Sequence, residues 1–113
     1  MAQAVFMQAG DAIDYTPASD VAPGEVIVQG DLVAIAKQEI KAGTLGALAV
    51  TGVFDVAKAS GAAVTFSAGE AAYWDDAAKL AVTTDGAGTN KLLGKATAAA
   101  ADEDATVRVR LSQ

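Results

Sequence analysis

Apolar residues come in short runs along this chain, and Gly, Pro, Asp or Asn breaks each run before a helical period can establish itself. The runs have the length of strands. The pattern predicts strands over Ala4–Gln8, Ala12–Tyr15, Glu25–Gln29, Leu32–Ala36, Leu45–Val50, Val53–Lys58, Ala63–Ser67, Ala71–Asp75, Leu80–Thr83, Leu92–Thr97 and Thr106–Leu111. The last is the clearest: Val107, Val109 and Leu111 alternate with Arg108 and Arg110, which puts apolar side chains on one face and guanidinium groups on the other. Lys95–Asp104 carries an Ala-rich stretch that reads either as a short helix or as a strand end running into the acidic loop Asp102-Glu103-Asp104, and the second reading is preferred.

The breaks have their own regularity. Gln29-Gly30-Asp31 lies between two apolar runs and suits a tight hairpin. Val21-Ala-Pro-Gly24-Glu-Val26, Ile40-Lys-Ala-Gly43-Thr-Leu45 and Phe66-Ser-Ala-Gly69-Glu-Ala71 share one scheme: an apolar residue, a turn with Gly, then a new apolar segment. Their unequal spacing indicates one turn solution used repeatedly instead of a solenoid repeat. The expected fold is all-β, a single small domain over residues 1–113, as an antiparallel sandwich or barrel-like body with short turns and little helix.

Composition narrows the chemistry. Hydrophobic residues make up 52% of the 113 positions but aromatics only 5%, so the core is expected to rest on Val, Leu, Ile and a few rings. With no Cys and no His, the chain lacks disulfides, thiolates and imidazole, the group most used for proton transfer near neutral pH. A net charge of −6 argues against a grip on nucleic-acid backbones, which depends on clustered Lys and Arg. The N-terminal run has no basic region before an apolar stretch, and no window is long enough to cross a bilayer as a helix; neither a signal peptide nor a membrane segment is expected.

Motif by motif, catalysis finds no support. Gly88-Thr-Asn-Lys-Leu-Leu-Gly94-Lys95-Ala96 approximates a phosphate-binding loop, but Thr89 stands where the first Gly belongs and Ala96 where a hydroxyl must hold magnesium. A Gly-rich hairpin joining two strands is the plainer reading. The loop from Asp102 lacks the Gly and the bidentate Glu of a calcium loop, having Val107 and Gln113 in those places. Asp75 and Asp76 are neighbours, not two carboxyls facing each other across a cleft. Ser19, Ser60, Ser67 and Ser112 have no His to activate them. Tyr73 and Trp74 point to opposite faces of a strand, so Trp74 reads as a core or interface anchor. No catalytic, cofactor or metal residue is assigned.

The order of certain blocks resembles the capsid cement, or head decoration, proteins of tailed phages. They are Gly10-Asp-Ala-Ile-Asp14-Tyr-Thr-Pro-Ala-Ser-Asp20-Val-Ala-Pro-Gly24, Gly30-Asp-Leu-Val-Ala-Ile-Ala36, Ile40-Lys-Ala-Gly43-Thr-Leu-Gly46-Ala-Leu-Ala-Val50-Thr-Gly-Val-Phe-Asp55, Ala72-Tyr-Trp-Asp75, Asn90-Lys-Leu-Leu-Gly94-Lys-Ala96 and Val107-Arg-Val-Arg-Leu-Ser-Gln113. The resemblance implies a non-enzymatic virion protein, made in the host cytoplasm, that binds the outer surface of an assembled head and holds neighbouring major capsid protein subunits together. It also implies a homo-oligomer, a trimer by preference. Relatives carry a predicted-recombinase label, which the broken loop at Thr89 and Ala96 contradicts. The alternative function is a carbohydrate-binding or adhesion module on the virion. Residues 1–20 are the candidate contact arm; Phe6, Ile13, Tyr15 and Trp74 are the candidate contacts with a partner or a second subunit, the first three being otherwise ordinary core residues.

Overall fold

The structure is a computed structural model and describes residues 3–59 and 64–112. It contains nine strands: β1 (Ala12–Tyr15), β2 (Val26–Gln29), β3 (Leu32–Ile35), β4 (Gly46–Ala49), β5 (Val53–Ala57), β6 (Ala71–Asp75), β7 (Leu80–Val82), β8 (Lys91–Ala96) and β9 (Thr106–Leu111). They form two antiparallel sheets, sheet one in the order β1-β4-β3-β2 and sheet two in the order β5-β9-β8-β6-β7. The expected all-β fold is what the chain adopts.

Sheet two curls until its first and last strands meet. Lys58, just past β5, bridges Ala81 of β7 in parallel, and the Ala59 N–H donates to the Ala81 carbonyl at 3.1 Å. The inward residues of these strands, Val56, Ala72, Trp74, Val107, Val109 and Leu111, form the main core together with Phe66 and Leu93. Gly94 sits at the tightest point: a Cβ there would fall on the Arg110 carbonyl oxygen of β9. Glycine is required because β8 and β9 approach too closely for any side chain.

Sheet one has its own core on its other face. Val21, Ala34, Ala36, Ile40 and Leu48 are buried there, with Ile13, Tyr15, Ile27 and Val50 packed against them. β3 therefore works on both sides, giving Val33 and Ile35 to the main core and Ala34 to the second. That explains its unbroken apolar sequence, since a strand covered on both faces has no polar positions to alternate.

The repeated turns are type II turns. Gly24, Gly43 and Gly69 occupy the third position at φ +84°, +76° and +88°, where only glycine is unstrained. The closing hydrogen bonds are Glu25 N–H to Ala22 O at 3.1 Å, Thr44 N–H to Lys41 O at 3.1 Å and Glu70 N–H to Ser67 O at 3.0 Å. Gly30 at φ +63° closes the expected β2–β3 hairpin, with Gln29 opposite Leu32.

These turns belong to a larger duplication. The bridge Val21↔Ile40 in the first half corresponds to Phe66↔Ala100 in the second. Gly24 N–H donates to Ala36 O as Gly69 N–H does to Ala96 O, both at 2.6 Å. The Glu25 carboxylate accepts from the Ala22 N–H as the Glu70 carboxylate accepts from the Ser67 N–H. The strand order β1-β4-β3-β2 reappears as β5-β9-β8-β6, with β7 as the addition. The chain is one four-stranded unit built twice.

Three expectations need correction. Ala4–Gln8 is not a strand, because no neighbouring segment offers it a ladder. Of Ala63–Ser67, Ala63 lies outside the described residues and the remainder contributes only the single bridge at Phe66. The segment before β8 is not a hairpin: β7 and β8 lie on opposite sides of β6, so residues 83–90 cross over it. That crossover holds a short 3-10 turn at Gly86–Gly88.

Candidate functional site

Residues 3–10 precede β1 as an exposed arm without strand structure. Val5, Phe6 and Met7 are consecutive and open to solvent, Phe6 at 85%. The arm from Gln3 to Gly10 carries no charge. Three neighbouring large apolar side chains thus stand in water.

The other expected contact residues sit inside the fold. Ile13 pairs with Leu48 across β1 and β4, and both Ile13 and Tyr15 are half-buried against the second core. Trp74 is 4% exposed in the main core, and its indole N–H donates to Asp76 Oδ1 at 3.1 Å. Lys79 Nζ meets the same oxygen at 2.8 Å, and these two donors, Lys79 foremost, hold the Asp76 carboxyl below the usual aspartate range.

Between the two sheets lies a cleft of about 310 Å³. Val26, Ile35, Phe54, Val56 and Trp74 make its apolar walls, while Glu25, Asp55 and Lys79 stand among its polar lining groups. Two of these charges are ion-paired within the chain and the third accepts a backbone hydrogen bond. Glu25 accepts from the Ala22 N–H, Lys79 pairs with Asp76, and Asp55 takes two bonds from Arg108 at 2.8 and 3.2 Å. The Arg108 guanidinium keeps the Asp55 carboxyl below its ordinary value.

The outer face of sheet two presents a row that crosses four strands: Val53, Arg110, Lys95 and Ala71, each directly opposite the next. Arg110 and Lys95 are like charges in cross-strand register, an arrangement that opposes sheet pairing. Val53 beside them is an exposed apolar residue.

Sequence reasoning passed over Lys58, which is 3% exposed. Its ammonium donates to the carbonyls of Ala59, Asp102 and Asp104 at 2.9, 3.2 and 3.3 Å. A lysine closing an apolar run looks like a surface residue, and only the three-dimensional meeting with the acidic loop reveals its role. In that loop Asp102 accepts from the Thr65 hydroxyl and Asp104 from the Ala101 N–H. Among the described residues no group of three or more acidic side chains gathers as a metal site would require, and no helix is long and apolar enough to cross a membrane.

The fold defines a small two-sheet, all-β protein. The chain belongs to the phage cement protein family, whose model matches residues 7–111. Its role is therefore structural, within the phage capsid. No curated protein and no solved structure matches this chain.

Proposed function

We propose that the protein attaches to the exterior of the assembled head as a homo-oligomer, a trimer by preference, and stabilises junctions between major capsid protein subunits. Within that family setting, the observation that carries the reading is the outer face of sheet two. Arg110 and Lys95 lie opposite each other there without an acidic partner in any ion pair of the described residues, in a chain whose net charge is −6. Paired like charges weaken the sheet that holds them, and an acidic surface on the shell would relieve that cost. The same contacts repeated over many copies add up without strong individual sites.

The test is co-sedimentation with expanded heads that lack the protein. Saturable binding that raises the heads' resistance to heat is the expected result. Failure to bind intact heads would remove the proposal.

A further inference from the structure

We propose that the inter-sheet cleft is a socket for the Val5-Phe6-Met7 arm of a second copy of this chain, so that subunits join arm to cleft. The inference deepens the oligomeric part of the proposed function and requires nothing of the shell.

The argument begins with two unsatisfied surfaces on one molecule. The arm exposes three successive large apolar side chains and carries no charge. The cleft has apolar walls, and its ionisable lining groups Glu25, Asp55 and Lys79 are each committed to a partner within the chain. Asp55 and Lys79 are already paired with Arg108 and Asp76, so of the three only the Glu25 carboxylate keeps an unpaired charge, and an uncharged apolar occupant gives up no polar contact. The apolar walls, with two of the three charges paired off, therefore favour an uncharged apolar segment like the arm.

Size agrees. A dry cavity of about 150 Å³ accepts benzene. The cleft, at about 310 Å³, has room for the Phe6 ring and part of an adjacent aliphatic side chain.

Position indicates a second copy. The arm leaves β1 at one edge of sheet one, and the cleft lies beside β2 at the other edge. In the structure Val5, Phe6 and Met7 stay in solvent, so the chain does not fill its own cleft. Arm-into-cleft contacts use two different patches, and such heterologous contacts build a ring when the rotation closes.

Trp74 makes the contact observable, since it is the only tryptophan and lines the socket. The experiment measures mass by sedimentation velocity and Trp74 emission across the micromolar range. It compares the wild-type chain with Val5→Ser/Phe6→Ser/Met7→Ser, whose changes lie in exposed, unpaired backbone and leave the cores untouched. The wild type should associate as concentration rises, with a parallel change in Trp74 emission, while the variant should associate about tenfold or more weakly. A synthetic peptide of residues 3–10, titrated into the variant, should restore the emission change saturably where a scrambled peptide does not.

A wild type that stays monomeric throughout overturns the proposal, whether or not Trp74 is already shielded by its own arm. So does association as strong in the triple variant as in the wild type, or a peptide that leaves Trp74 unmoved. Because no head enters these measurements, their failure is distinct from failure of the shell-binding reading.

Discussion

Lys58 shows how a buried charge can be accommodated without a carboxylate. An ammonium has three protons to donate and accepts nothing; the carbonyls of Ala59, Asp102 and Asp104 take all three. Its main chain does the same work, since the Lys58 N–H donates to Ala105 O at 3.0 Å. Replacing it as Lys58→Met would keep the packing of the stem but leave the three carbonyls without their ammonium partner. The expected loss is about 2 kcal/mol, read from urea denaturation. Hydrogen exchange of the amides in 101–104 should quicken in the same variant. An unchanged urea midpoint would mean that water reaches those carbonyls and that the lysine is not their main partner.

At the scale of elements, β8 and β9 are the most exposed to a simple test. Arg110→Glu turns the cross-strand repulsion with Lys95 into attraction, and the fold should gain about 0.5 kcal/mol. The same variant should bind heads more weakly, so stability and binding move in opposite directions. A variant that gains neither stability nor loses binding would contradict both halves of the argument.

Strands of this kind were readable one at a time. The alternation Val107, Val109, Leu111 against Arg108 and Arg110 describes β9 directly, and the turn formers around β2, β3 and β6 mark their ends. What periodicity does not contain is the choice of neighbour. Ala4–Gln8 has a strand's composition but no ladder, and β8 pairs with β6 instead of the β7 that precedes it. The duplication was hidden for a related reason. Its fourth turn, at Ala101–Asp104, is closed by the Asp104 N–H to Ala101 O at 3.1 Å and lacks the marker glycine of the other three. The Asp104 carboxylate, on the Ala101 N–H at 2.8 Å, does there what Glu25 and Glu70 do in their turns. Of the candidate contacts, Phe6 is open to solvent while Ile13, Tyr15 and Trp74 pack inward, because an apolar residue in a strand reads alike whether its face meets a core or a partner.

For the whole molecule, the pattern of ion pairs sets the response to acid. Asp20, Asp31, Asp55 and Asp76 all have carboxyls held below the ordinary value of 3.8 by hydrogen bonds and nearby cations. A carboxyl with a depressed folded-state pKa contributes stability above its unfolded value and loses it as pH falls through the folded one. The urea midpoint should therefore drop as pH is lowered from about 4.5 toward 2. Asp55→Asn, which removes the partner of Arg108, should make that decline shallower. A midpoint that is flat across the acid range, in wild type and variant alike, would show these pairs to be screened into irrelevance.

The double duty of β3 has a mechanical meaning. Tension entering such a molecule through one sheet must leave through the other. β3 packs against β8 and places alternate side chains in both cores, so the load crosses on interlocked side chains instead of on the single covalent link from β4 to β5. Pulled from its ends, such a molecule resists as one body up to a single yield point, at which the two halves come apart together.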